Sequence, residues 1–176
     1  MTHDQLVHRA IKWLWSGRCI GDAVCSVVVS ELTSGGSETP DVIGFWSGFS
    51  IVIECKASRQ DFSQEKHKAH HVCKDFMGDY RYYMTPPNLL NLDEIPPKWG
   101  LLEAHGNTIH TMRMAEYLDN KNYRDEIAMF VSILRRFNPK VKGVNVKHYT
   151  KISNNKPRAT LGIARGGDSE RCSNDD

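Results

Sequence analysis

The chain has 176 residues, of which 40% are hydrophobic and 25% charged, values that exclude a wholly disordered or collagen-like chain and fit one globular domain, with or without an appendage. No apolar run approaches the roughly 18 residues of a membrane helix, and the first residues, Met-Thr-His-Asp-Gln, lack the basic start and apolar stretch of a signal peptide, so a cytoplasmic protein with no membrane partner is expected. The net charge of +2 hides a division: residues 1–134 carry 13 basic and 17 acidic side chains, residues 135–165 carry 9 basic and no acidic ones, and residues 166–176 carry 1 basic and 4 acidic ones.

The basic stretch suits a polyanion partner, or equally a solvated tail that maintains solubility; charge alone leaves both open. The five cysteines are odd in number and irregularly spaced, without a CxxC pair. Neither a disulfide framework nor a zinc ribbon is indicated, and reduced thiols packed as small hydrophobes are expected.

Residues 4–15 place Leu6, Val7, Ala10, Ile11 and Leu14 at helical spacing, with Thr2 or Asp4 as cap and Gly17 and Gly21 as stops. Val24 to Leu32 is β-branched and reads as a strand, and Thr33 to Pro40 reads as a loop. Asp41 to Trp46 and Phe49 to Lys56 are two strands joined by Ser47-Gly48, a two-residue hairpin signal. Ser58 opens a helix, with Asp61 three residues on as in a capping box. That helix is predicted to run to Gly78, with Phe62, Ala69, Val72, Cys73 and Phe76 on its apolar face. Tyr80 to Met84, Trp99 to Glu103 and Thr108 to Met112 are further strands. Tyr123 to Phe137 is a helix with Ile127, Phe130, Val131 and Leu134 aligned, and Pro139 stops it. This order predicts an α/β fold, a sheet flanked by helices, in which the strand after the Ser58 helix returns roughly parallel to the third strand as a right-handed crossover.

The chemistry concentrates in Pro40-Asp41 and Glu54-Cys55-Lys56. Side chains alternate along a strand, so Glu54 and Lys56 share one face, about 7 Å apart at Cα, and Cys55 points the other way. If the two strands form a hairpin, Asp41 lies beside the end of the strand that carries Glu54 and Lys56. Two carboxylates and an ammonium at one sheet edge suit metal-assisted phosphodiester hydrolysis. Oxygen ligands favour Mg²⁺ or Mn²⁺, the metal acidifies water, and a lysine can stabilise the developing charge.

These motifs, on a hairpin after a helix and a strand, resemble the PD-(D/E)XK nuclease superfamily. A longer set of segments is similar to the MmcB-like DNA-repair branch: Ile53 to Phe62 (a strand ending in Glu-x-Lys and running into Ser-x-x-Asp-Phe), Asp79 to Pro86, Ile95-Pro96 and Trp99 to Leu102. The resemblance covers roughly residues 24–113. It departs at Cys55, where an aliphatic residue is more usual, and it does not cover the basic C-terminal third.

The resemblance implies a restriction-endonuclease-like core, a central mixed sheet flanked by helices, over residues 1–138. Residues 139–165 then form a basic extension, and residues 166–176 a tail expected to be disordered. It further implies a Mg²⁺-dependent deoxyribonuclease acting in DNA repair or processing and leaving a 5′-phosphate. Asp41 and Glu54 would be metal ligands and Lys56 the water-orienting group. Glu31, at the end of the first predicted strand, is a weaker candidate ligand, with a solvated strand end as the plain alternative. Asp4 could play the helix-borne acid of some relatives or serve the helix end. DNA contacts are assigned to Arg59, Lys66, Lys68, Arg135, Arg136, Lys140 and Lys142. Cutting both strands would call for a homodimer. His67 and His71 have zinc-ligand spacing, but no second cluster completes a site. The rival reading is a non-catalytic nucleic-acid- or partner-binding module on the same fold.

Overall fold

Leu6, Val7, Ala10, Trp13 and Leu14 are the buried stripe of helix α1, His3–Trp15. Of the two candidate caps it is Thr2 that acts, within a capping box closed by Gln5. The structure, a computed structural model, is described for residues 1–17, 19–20, 24–69 and 76–137, with backbone only at 65–69 and 137. Strands β1 (Val27–Ser30), β2 (Val42–Trp46) and β3 (Phe49–Cys55) follow, then helix α2 (Arg59–Ala69) and β4 (Tyr80–Thr85). A short 3₁₀ turn at Leu92–Glu94 precedes β5 (Gly100–His105), β6 (Thr108–Arg113) and helix α3 (Tyr123–Phe137).

The six strands form one sheet in the order β1-β2-β3-β4-β5-β6. The β3–β4 and β4–β5 pairs are parallel and the rest antiparallel. The fold is therefore α/β with a mixed sheet flanked by helices, as expected. The expected hairpin is present. Ser47 and Gly48 both take positive φ, 38° and 93°, as a two-residue turn matched to the twist of its strands requires. It sets Trp46 opposite Phe49 and Val42 opposite Ile53.

Strand alternation divides the core between the two faces. Val42, Ile51, Ile53, Cys55, Tyr82, Met84, Leu102 and Ala104 pack beneath α1. Gly44 lets this helix approach closely: a Cβ there would lie 2.7 Å from Cys25 Sγ and 3.1 Å from Leu14 Cδ1. On the other face Ile43, Phe45, Val52 and Met77 pack with Met129 and Ile133 of α3. Farther along that face, Phe62, Tyr83, Leu90, Ile95, Trp99 and Leu101 form a third cluster.

Three expectations are corrected. The first strand is confined to Val27–Ser30. Val24 is exposed, and the Cys25 N–H is bound to the Leu14 carbonyl at the end of α1, so these two residues stand outside the ladder, which opens with the Ser26 N–H on the Phe45 carbonyl at 2.8 Å. Phe76 is not on α2, which is described to Ala69; its ring meets Trp99 edge-on, with centroids 6.0 Å apart. Helix α3 has the expected bounds but buries another stripe: Met129 and Ile133 are in the core, whereas Ile127, Phe130, Val131 and Leu134 are exposed, Ile127 by 63%.

Cys19, Cys25 and Cys55 are buried and form no disulfide among the described residues. Among the described residues no helix is long and apolar enough to cross a membrane. Cys73, His71, Lys140, Lys142 and the basic extension and tail expected over residues 139–176 lie outside the described residues.

Candidate functional site

Asp41 stands immediately before β2, following the buried Pro40, whose ring fixes the backbone entering the strand. Its carboxylate Oδ2 accepts the backbone N–H of Cys55 at 2.7 Å. Its own carbonyl accepts the Glu31 N–H at 3.0 Å. The carboxylate is thus fixed against the end of β3, between the backbone positions of Glu54 and Lys56. The hairpin register puts it there, because pairing Val42 with Ile53 brings the residue before Val42 level with Glu54.

Glu54 and Lys56 are both buried, at 7% and 6% exposure. Glu54 lies in β3 and Lys56 one residue past it, where its N–H still bonds the Met84 carbonyl at 2.9 Å and continues the parallel pairing with β4. Cys55 faces the opposite core, as alternation requires. Its thiol is pushed up, first by burial and then by the charges of Asp41 and Glu54, with Lys56 opposing them. All three charged groups therefore act on one point in the sheet, and burial there favours the neutral thiol.

Two neighbours carried no signal in the sequence. The first is Arg81, on β4 opposite Val52. This fully buried guanidinium gives Nη2 to Glu38 Oε1 at 2.6 Å and to Glu54 Oε1 at 3.2 Å, and Nη1 to the Met77 carbonyl at 2.7 Å. It lies over the rings of Phe76 and Trp99, at 4.7 and 4.5 Å from their centroids. Glu38 comes from the loop before Pro40, and its other oxygen accepts the Met77 N–H at 2.8 Å. One face of Glu54 is thereby positioned and neutralised from within. Only an unusual demand would reveal such a residue, an arginine in an otherwise apolar strand, which must find carboxylates if it is buried.

The second is His3, on the first turn of α1. Its Nε2 is 3.7 Å from both Asp41 Oδ1 and Glu31 Oε1. Glu31 lies past the end of β1, with a φ of 49°, and its side chain is 60% exposed against 21% for Asp41. It therefore belongs to the rim of the site, on the side of α1. Asp4 is exposed on the adjacent first turn, where a carboxylate suits the positive end of the helix.

The face shared by Glu54 and Lys56 continues along the carboxyl ends of β4 and β5. There Thr85 pairs with Glu103. Glu103 is buried, accepting the Asn88 N–H at 2.8 Å and bonding His105 Nε2 at 2.8 Å. Among the described residues no group of three or more His, Cys, Asp or Glu side chains is arranged to hold a metal. A cation here would rest on two carboxylates, with water and a phosphate supplying the remaining oxygens, which is coordination that Mg²⁺ commonly takes. The donor set is all oxygen and fits that ion or Mn²⁺.

The residues assigned to nucleic-acid contact are dispersed. Ser58 Oγ accepts the Asp61 N–H at 3.2 Å and Asp61 Oδ2 accepts the Ala57 N–H at 3.2 Å, so both serve the start of α2. Arg59 is forked onto Glu94 at 2.7 and 2.8 Å, which holds its pKa up. Lys66, His67 and Lys68 lie on α2 with only their backbone described. Arg135 and Arg136 are exposed on the last turn of α3, and Arg136 donates to the Thr33 carbonyl at 3.1 Å.

No protein-family model matches the chain, and no curated protein matches it. Among solved structures it is similar to the SPO1766 protein of unknown function from Silicibacter pomeroyi, with a TM-score of 0.52 and 19% identity over 82% of this chain and 97% of that one. This is a likeness of fold.

Proposed function

We propose that the chain is a metal-dependent DNA nuclease of the PD-(D/E)XK, restriction-endonuclease-like kind, similar to the MmcB-like DNA-repair proteins, hydrolysing a phosphodiester with Mg²⁺ or Mn²⁺. The observation that carries this reading is the 2.7 Å bond from Cys55 N–H to Asp41. It brings a carboxylate 13 positions away in sequence to the strand end where Glu54 and Lys56 emerge on one face. A bound cation would acidify a water and offset charge on the phosphate. Asp41 and Glu54 supply the oxygens that hold it. Arg81, through Glu54, and the Cys55 amide, through Asp41, keep those oxygens from rotating. Lys56 places an ammonium where negative charge grows on the phosphoryl oxygens.

Arg81 also favours a second reading. A Glu54 already neutralised by a buried arginine is what a non-catalytic nucleic-acid- or partner-binding module on the same fold would retain for structure. Incubating the full chain with duplex, single-stranded and branched DNA in Mg²⁺, Mn²⁺ or EDTA separates the two. The nuclease gives metal-dependent cleavage that Asp41→Asn removes. Binding without cleavage in either metal establishes the module instead.

A further inference from the structure

Between the polar flank of α1 and the β5–β6 hairpin runs an open cleft of about 480 Å³, within the roughly 300–1,000 Å³ range of small-ligand sites. One wall is the helix, with Gln5, His8, Arg9 and Lys12; the other is Asn107 in the hairpin turn and Ile109 in β6. These helical positions are fixed by the opposite, buried stripe of Leu6, Val7, Ala10, Trp13 and Leu14. Arg9 and Lys12 are three apart and so project from the same side of the helix. Neither is engaged by an ion pair or side-chain hydrogen bond among the described residues. This contrasts with Arg59, which is committed to Glu94.

The cleft opens at the same end of the sheet as the candidate site, on the opposite face from Glu54 and Lys56. Its turn, at Asn107, follows the carboxyl end of β5, the same end of the parallel strands at which Glu54 and Lys56 emerge, and ligands of α/β sheets collect outside the carboxyl ends of their strands. The first turn of α1 borders both, with His3 beside Asp41 and Asp4 on the lining of the cleft. From His3 to Lys12 the helix advances about 13 Å, the axial length of about four nucleotides of one duplex strand.

We infer that this cleft seats the nucleic-acid strand flanking the scissile phosphate, with Arg9 and Lys12 on its backbone phosphates and a nucleotide against Ile109 within reach of the Asn107 amide. The inference rests on the nuclease reading and adds to it the path of the substrate. Asp4 is the one acidic side chain on the lining, so attraction comes from the far end of the cleft, where the two cations stand. A phosphate there gains two contacts, and Ile109 offers an apolar surface to the sugar or base without reading sequence.

The test uses the full chain with a labelled oligonucleotide, single-stranded and duplex, binding being followed with EDTA and cleavage with Mg²⁺. Arg9→Glu with Lys12→Glu should weaken binding at least about tenfold and lower the salt slope by about two, one unit for each lost phosphate contact. Both side chains are on the helix surface, and an unchanged melting temperature verifies the fold. Asn107→Trp, a neutral obstruction, should weaken binding as well. If wild type binds and cleaves while the charge-reversed variant matches it, the cleft is wrong and the nuclease reading stands. If charge reversal weakens binding and Asn107→Trp does not, the cations act only through the general field of the protein, and the seated strand is wrong. If wild type neither binds nor cleaves any nucleic acid, the nuclease reading falls and the cleft with it.

Discussion

Two polar clusters stand at opposite ends of β3, and they are built on different terms. At its beginning, Ser50 gives its N–H to Asp79 Oδ2 at 2.7 Å, and its hydroxyl, within hydrogen-bond reach of both Asp79 and Glu126, donates its one proton to the nearer Glu126. Lys121 closes the group, 2.6 Å from Asp79 and 3.2 Å from Glu126, and Glu126 also accepts the Gly78 N–H at 3.0 Å. All four side chains are shut away from water, and together they clamp β3, β4 and the start of α3. At the other end, Asp41, Glu54 and Lys56 form a cluster with one sealed side, at Arg81, and one side toward solvent, at Asp41, Glu31 and His3. A buried network whose members satisfy one another serves stability and specificity. A cluster with an open rim leaves oxygens for something outside the protein. Counting charges in the sequence does not separate the two; only the partners do.

The sharpest way to break the comparison is to remove charge from each end in turn. Asp41→Asn retains an oxygen that can accept the Cys55 N–H, so the fold should survive with a melting temperature close to wild type. Under the nuclease reading it forfeits several kcal/mol of transition-state stabilisation, and cleavage rates should fall at least about 10³-fold. A gel-based cleavage assay beside a thermal melt checks both halves. An Asp41→Asn that melts early but cleaves normally when folded would make Asp41 structural.

The converse is expected at the closed end. Asp79→Ala strands the Ser50 N–H in the interior and leaves Lys121 with Glu126 as its one remaining carboxylate among the described residues. Removing one partner of a buried ion pair costs about 3–5 kcal/mol, which urea unfolding would read as a lowered midpoint with an unchanged slope. Cleavage by the remaining folded fraction should be near normal, because this group lies at the far end of the strand. Next in size is Lys56→Met. Loss of one preorganised charge at the transition state costs about 10²–10³ in kcat, with DNA affinity and Mn²⁺ affinity nearly unchanged. Unaltered kcat together with weakened DNA binding would make Lys56 a simple phosphate contact.

What the sequence made legible follows the same division. The β2–β3 hairpin could be read because its turn chemistry, its alternation and the Asp41–Glu54 spacing are local and agree. The rotation of α3 could not. Its sequence carries two apolar stripes, and Ile127, Phe130, Val131 and Leu134 look the stronger. The buried carboxylates decide between them. Asp125 accepts the Ser37 N–H at 2.8 Å and the Ser37 hydroxyl at 2.6 Å, and Glu126 is held in the closed cluster. Bringing both inward sends Met129 and Ile133 to the core and leaves the other stripe outside, where Phe130 keeps a ring contact with Phe45, centroids 4.3 Å apart. Arg81 and His3 escaped notice for a related reason. Each is defined by partners from distant loops, Glu38 for one and Glu31 with Asp41 for the other, and no periodicity encodes those meetings.

The smallest expected effect refines the picture of the closed cluster through its response to alkali. Burial pulls the pKa of Lys121 down, but the hydrogen bonds and charges of Asp79 and Glu126 outweigh it, and the net shift is upward from 10.5. A lysine whose pKa is higher in the folded than in the unfolded state contributes stability that is complete below the unfolded value and disappears as pH rises through the folded one. The contribution of Lys121 should therefore be constant from pH 7 to about pH 10 and shrink above that. Tyr82 and Tyr117 also have raised values, burial being the first cause in each, so wild type loses stability in the same alkaline range for a second reason. Comparison with Lys121→Met removes that shared part. The stability gap between the two proteins, measured by urea unfolding, should hold steady to about pH 10 and narrow by pH 11.5. A gap that stays constant throughout would mean that Lys121 is not held as an ammonium by Asp79 and Glu126, and the closed cluster would then rest on Ser50 and the backbone alone.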